Sequence, residues 1–227
     1  MANEGILALV GGDEWTEGCT FDATLLAASG GSDVVVLPTA AAYQHPERTV
    51  FRAAEWFGTL GARVEGLMVL DRASADDAGM AGVVRAARFI YLSSGSPLHL
   101  KSVLKGSATF EALREAWAHG AVVAGSAAGA MVLTDPMVDP RGGALTVGLG
   151  LVVGLAVVPR LGDESSDVQG QKLERTVAMA PQRLPVVGVP DRTALLRAGD
   201  GRWHAEGAGT PVVFVDGRPV EGLGALG

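Results

Sequence analysis

Residues Ala121 to Val132 read AVVAGSAAGAMV, and the way this stretch must run decides the fold. The β-branched pair Val122-Val123 marks a buried parallel strand. Gly125 and Gly129 then bracket a tight turn, and Ala128 to Leu133 starts a helix. This is the outline of a G-x-Nuc-x-G elbow, in which a strained strand-to-helix turn lifts one side chain above the sheet. The glycines are needed because a Cβ would clash where the backbone doubles back. Amides at the start of the helix point at the same spot and could hold an oxyanion. The centre of the pattern should carry a nucleophile. Here it is Ala127, whose methyl group can attack nothing.

Working outward, the flanking chain alternates strand and helix. Gly5 to Val10, Asp33 to Pro38, Arg63 to Leu70 and Arg88 to Leu92 are apolar, β-branched runs that read as buried strands. Helices are expected at Phe21–Ala28, Glu47–Leu60, Leu98–Leu104, Ser107–His119 and Ser165–Ala178. In the second of these, Val50, Ala54 and Phe57 fall on one face. A further helix is expected to be capped by Ser74 and to run through Ala86, with Asp76 and Asp77 in its first turn. Leu151 to Val158 is another buried strand. Short strands then follow at Val186–Val189, Thr193–Arg197, Trp203–Glu206 and Pro211–Val215, with Asp200-Gly201 and Asp216-Gly217 as hairpin turns. The alternation predicts an α/β fold with a doubly wound, mostly parallel sheet flanked by helices. The late strands are read as antiparallel hairpins that extend the sheet. No linker or internal repeat interrupts residues 1–227, so one domain is expected.

Two loops leave strands at the edge where open α/β sheets bind ligands. Gly11-Gly12-Asp13 follows the first strand. Ser94-Gly95-Ser96 follows the fourth, and its backbone amides are candidates for half of an oxyanion hole. Gly11, Gly12, Asp13, Ser94, Ser96 and Ser126 are therefore the candidate ligand-contacting residues.

Composition limits the function. The net charge is −7, and no basic stripe offers a surface to nucleic acid. Cys19 is the sole cysteine, which excludes an internal disulfide and a metal-binding cysteine cluster. No metal or cofactor is called for. No apolar run is long enough to span a bilayer. Met1 leads within a few residues into a strand without a basic leader. A cytoplasmic chain is the expectation, and a homodimer is compatible with it.

The chain resembles the cyanophycinase and aspartyl dipeptidase family of serine peptidases, within the class I glutamine amidotransferase-like fold, which is flavodoxin-like. The resemblance is carried by GGD at Gly11–Asp13, LPTAAA at Leu37–Ala42, YLSSGSP at Tyr91–Pro97 and GSAAGAM at Gly125–Met131. It continues through TVGLGL at Thr146–Leu151, VVPRL at Val157–Leu161 and GVPDRTAL at Gly188–Leu195. The joint order of these blocks is the specific signal. Matched to the family motif, the nucleophilic serine falls on Ala127 and the base histidine on Arg160. The resemblance implies oxyanion donors at Gly95 and Ala128, an acid at Asp139 or Asp191 with Asp135 weaker, and a small acidic peptide or isopeptide as ligand.

Without a hydroxyl at 127 no acyl-enzyme can form. A guanidinium with a pKa above ~12 is no base at neutral pH. The expectation is a peptidase-like pseudoenzyme in which Arg160 offers a fixed cation to a carboxylate. Three readings stand beside it: a serine peptidase whose nucleophile was replaced by Ala127, with His99 or His204 as base; a nucleophile shifted to Ser126; and a protein-interaction scaffold. A glutamine amidotransferase is disfavoured because its elbow needs cysteine, and Cys19 lies far from the elbow in sequence.

Overall fold

The computed structural model describes residues 4–161 and 166–226. The first strand, β1 (Leu7–Val10), leads through a glycine loop to α1 (Phe21–Ser29). Next come β2 (Asp33–Leu37), α2 (Pro46–Thr59), β3 (Arg63–Gly66), α3 (Arg72–Ala75), α4 (Ala78–Ala86) and β4 (Phe89–Leu92). Helices α5 (Pro97–Leu104) and α6 (Ala108–Ala118) precede the elbow strand β5 (Val122–Ser126) and the short α7 (Ala128–Leu133). These five strands pair in parallel in the order β3-β2-β4-β5-β1.

Both faces of that sheet are buried, and the period-two alternation of the strands sorts side chains between two cores. Leu7, Leu9, Val35, Leu37, Ile90, Leu92 and Val123 face α4 to α7. Ala8, Val10, Val34, Val36, Phe89, Tyr91, Val122 and Ala124 face α1 and α2. This is the doubly wound architecture expected from the alternation of strands and helices.

The later chain divides differently from its sequence pattern. Four short strands, β6 (Thr134–Asp135), β7 (Met137–Val138), β8 (Leu145–Thr146) and β9 (Val152–Val153), form two small ladders. They precede β10 (Ala156–Leu161), α8 (Ser166–Met179) and β11 (Val186–Pro190). The run ends with β12 (Thr193–Arg197), β13 (Trp203–Gly207), β14 (Val212–Val215) and β15 (Arg218–Val220). The single strand expected over Leu151–Val158 breaks at Gly154, which sits at φ 82°. Only the β12–β13 hairpin extends the main sheet, antiparallel along β1. The β14–β15 hairpin instead joins a second sheet, β10-β11-β14-β15, in which β10 and β11 run parallel.

Three local expectations are corrected. The helix expected from Ser74 to Ala86 is two helices. Asp71 caps the first in a reciprocal capping box with Ser74, and Asp77 caps the second by accepting from Met80 N at 2.8 Å. Asp76 lies between them and accepts from Ala108 N and Arg72. On α2 the buried face is Pro46, Ala53 and Phe57, with Val50 packed beside it, and Ala54 faces solvent. The strand expected to reach Leu70 ends at Gly66. There Val50 occupies the space a Cβ would need, its Cγ1 only 2.4 Å from that position.

Candidate active site

Strand register brings three loops to one edge. Val10 lies opposite Ser126, and Leu92 opposite Gly125. The loops after β1, β4 and β5 therefore leave the sheet side by side. The elbow has the strained geometry its sequence demands: Ala127 sits at φ 44°, ψ −94°, outside the regions an L-residue prefers. The strain is held by its surroundings. Ala127 N donates to Val10 O at 2.9 Å, and Ala127 O accepts from Met131 N at 3.0 Å. A Cβ on Gly125 would lie 2.6 Å from Gly129 C, and one on Gly129 would lie 2.7 Å from Leu92 O. Only glycine fits at either position.

A residue that the motif reading passed over joins these loops. Glu14, two positions beyond Gly12, is 3% exposed. Its carboxylate accepts from Ser126 Oγ at 2.9 Å, from Ser94 Oγ at 2.5 Å and from Ser94 N at 3.2 Å. One buried carboxylate thus ties the residue before the elbow apex to the loop after β4. Charge-assisted bonds of this kind are the stronger class. The flanking backbone is shaped for it, with Asp13 at φ 49° and Trp15 at φ 62°, and Trp15 packs on Tyr91 at 5.1 Å between ring centroids. A carboxylate directly after a glycine loop at this sheet edge was the available signal.

This arrangement changes the reading of the serines. Ser126 is fully buried and gives its proton to Glu14. The hydroxyl of Ser94 is turned to the same carboxylate, and Ser96 caps α5 by accepting from His99 N at 3.3 Å. All three hydroxyls make hydrogen bonds within the protein; Ser126 is buried, while Ser94 and Ser96 are partly exposed. Gly95 adopts φ 143° and packs so closely that a Cβ would sit 2.3 Å from Ala40 O.

The candidate base position also lies at this edge. Arg160 occupies a bulge in β10 at φ 64°, where its pairing with β11 shifts register. A Cβ placed on Gly12 would be 3.0 Å from Arg160 Cγ and 2.4 Å from Asp191 Oδ1. Gly12, Arg160 and Asp191 therefore meet. Arg192 N donates to Gly12 O at 2.9 Å, and Arg192 Nε lies 3.5 Å from Asp13 Oδ2. Asp139 is placed in a hairpin turn, where Arg141 grips its carboxylate at 2.7 Å and holds its pKa down to about 2. Asp135 accepts from Gly148 N. Of the candidate acids, Asp191 is the one that neighbours Arg160 in this geometry.

The imidazoles are otherwise occupied. His99 Nε2 contacts Leu70 O at 2.9 Å, His119 Nδ1 contacts Glu115 O, and His45 pairs with Glu47. His204 is exposed on β13. On α1, Asp22 is buried and accepts from Trp56 Nε1 at 2.9 Å. Loss of solvent, outweighing that bond and reinforced by the charge of Glu14, lifts its pKa to about 8. Burial likewise raises the thiol of Cys19 and the phenol of Tyr91. Among the described residues no group of three or more His, Cys, Asp or Glu could hold a metal ion, and no helix is long and apolar enough to cross a membrane.

A parallel α/β sheet with a strained strand-to-helix elbow at its carboxyl edge defines a hydrolase-like class of protein. The match is specific: the model of Peptidase family S51 covers residues 7–203, and the chain belongs to that family. It is 26% identical over 223 residues to the cyanophycinase of Synechococcus elongatus, and equally to that of Thermosynechococcus vestitus. Each alignment covers 95% of this chain and 69% of the relative. Among solved structures, a peptidase from an acI-B1 Actinobacterium superposes with a TM-score of 0.78 at 22% identity, covering 97% of this chain and 98% of that one. That likeness carries the fold alone.

Proposed function

We propose that this chain is a family S51 homologue that binds a small acidic peptide or isopeptide at the elbow and does not cleave it. The observation that carries the reading is Ala127: a methyl group at the apex of a turn still held at φ 44°, ψ −94°. The elbow backbone persists while the group that would form an acyl-enzyme is missing. Ser126 offers no substitute, since its hydroxyl is buried against Glu14. Arg160 stands beside Gly12 and Asp191 at the expected base position, and its guanidinium suits a ligand carboxylate. The amides of Gly95 and Ala128 are the donors assigned to the ligand's carbonyl oxygen.

Restoring the chemistry tests the reading. The chain as it stands should release no amino acid from aspartyl or β-aspartyl dipeptides above a buffer blank. Ala127→Ser alone should stay nearly inert, because a serine without a base is a poor nucleophile. Ala127→Ser with Arg160→His should exceed either single change by more than their product, since triad members act as a unit. General-base assistance is worth roughly 10²–10⁴-fold, so the outcomes separate clearly. Robust cleavage by Ala127→Ser alone would show a working serine peptidase that lacks only its nucleophile.

A further inference from the structure

The main sheet ends on β13, which among the described residues pairs with β12 alone. His204, Ala205 and Gly207 are exposed along it. An open strand edge is a template for a further strand, and proteins blunt most edges with charges, proline or a bulge. The other edges of the two larger sheets are blunted in this way. β3 is four residues long, with Arg63 and Glu65 exposed. β10 carries Pro159 and a bulge, and β15 carries Arg218 and Pro219. β13 has no lysine, proline or register shift, and its carboxylate, Glu206, accepts from Thr24 Oγ1 on α1 at 3.1 Å.

The ladder tells which backbone groups face outward. Thr193 lies opposite Gly207, and Arg197 opposite Trp203. Just beyond these pairs, Ala208 N donates to Arg192 O at 2.9 Å and Ala198 N donates to Arg202 O at 2.8 Å. Bonded pairs fall on every second residue of an antiparallel ladder, so His204 and Glu206 bond inward to β12. The N–H and C=O groups of Trp203, Ala205 and Gly207 point away from it.

A second copy of β13 can meet those groups antiparallel in few registers, and charge separates them. Centred on Glu206, the pairing sets two carboxylates against each other, which is unfavourable. Centred on His204, it leaves Gly207 beyond the paired strand and brings Glu206 to Arg202, which already bonds Asp200. Centred on Ala205, it pairs the whole strand. Each His204 then stands opposite the partner's Glu206, an imidazole N–H facing a carboxylate, and Trp203 stands opposite the partner's Gly207. Two-fold symmetry makes each of these pairs twice. His204 and Glu206 lie on the α1 face, since they stand opposite Leu196 and Ala194 of the core under that helix. The exposed residues of α1 are Ala23, Thr24, Ala27 and Ala28, so the helix sets neither charge nor bulk in the way. We infer that β13 is the surface through which two copies of this chain join edge to edge, antiparallel and centred on Ala205, into one continuous sheet. The inference is independent of the reading of the elbow.

Sedimentation equilibrium over a range of chain concentrations tests it. The unaltered protein should be a dimer at micromolar concentration. His204→Glu sets carboxylate against carboxylate at two symmetric places and should weaken the dimer by about 10-fold. Adding Glu206→His to that variant restores the opposite pairs only in the register centred on Ala205, and should bring the dimer back. Ala205→Pro removes an outward N–H while leaving the ladder to β12 intact, a change that edge strands tolerate, and should give a monomer. Far-ultraviolet circular dichroism matching the unaltered protein shows that each variant is folded, and the charge exchange decides the matter even where the proline variant unfolds. A monomer at every concentration, a dimer indifferent to His204→Glu, or a doubly changed variant that stays monomeric would each overturn the inference.

Discussion

Ala127 and Arg160 are both non-glycine residues held at positive φ, and they are held in opposite ways. At the elbow the residue is 6% exposed and locked between Val10 O, Met131 N and two glycines that admit no Cβ. At the bulge the residue is exposed and only the pairing of β10 with β11 shifts around it. The first site is a shape that the fold over-determines, so it survives the absence of a nucleophile. The second is a backbone irregularity with a side chain on the solvent side, so its residue can change without cost to the fold. The molecule combines the two: a backbone shape kept by packing at the elbow, and an exposed side chain at the bulge.

The largest effect should come from breaking the packed site. A methyl on Gly125 meets Gly129 C at 2.6 Å and Leu133 Cδ1 at 2.8 Å, and the backbone contact cannot rotate away. Gly125→Ala should therefore cost more than about 4 kcal/mol, read as a lowered urea midpoint, in the range reserved for core strain.

A buried acid on α1, Asp22, gives a second test through pH. Burial raises the pKa of Asp22 in the folded protein from the ordinary carboxylate range to about 8. The native state then holds a proton that the unfolded chain gives up. The associated stability is present at low pH and is lost as pH rises from near 4 through about 8. Asp22→Asn keeps an acceptor for Trp56 and removes this dependence. Its advantage over the unaltered protein should be small at pH 5 and reach a few kcal/mol at pH 8.5. A difference in melting temperature that does not grow with pH would show Asp22 ionised in the fold.

Smaller in effect, the Glu14 bridge sharpens the comparison. Glu14→Ala strands the hydroxyls of Ser94 and Ser126 and the Ser94 amide, and should cost about 2–3 kcal/mol of unfolding free energy. Glu14→Gln should cost less, because it still accepts from one of them. Equal midpoints for Glu14→Ala and the unaltered protein would mean that the bridge is not holding the loops.

The smallest changes separate the two strained positions themselves. Ala127→Gly relieves an unfavourable backbone and should stabilise by about 1 kcal/mol, net of the greater freedom of glycine in the unfolded chain. Arg160→Ala should leave stability within about 0.5 kcal/mol, while abolishing binding of a β-aspartyl dipeptide in the same preparation. If Arg160→Ala lowered the midpoint by several kcal/mol, the bulge would be a packed site like the elbow.

Much of this was legible along the chain, for particular reasons. The parallel sheet showed in the alternation of β-branched runs with amphipathic helices, and the elbow in two glycines four residues apart. Both signals are local, because hydrogen-bond periodicity and steric exclusion act over a few residues. The Ser74 helix was misread because Asp71 and Asp77 each satisfy cap geometry, and sequence spacing does not say which cap ends a turn. The late hairpins were legible as hairpins. Their assignment to different sheets was not, since an antiparallel strand carries the same pattern whichever edge it joins.

The sequence by itself determined the main sheet, the turn at Gly125 to Gly129 and the absence of a nucleophile at its apex. These depend on the residues present and their immediate neighbours. Only the tertiary structure decided that Glu14 turns Ser94 and Ser126 inward, and that Asp191 and not Asp139 neighbours Arg160. These facts join residues far apart along the chain, Glu14 and Ser126 by 112 positions and Glu14 and Ser94 by 80. Such contacts arise when strand register sets loops beside one another, and no local preference of the chain encodes them.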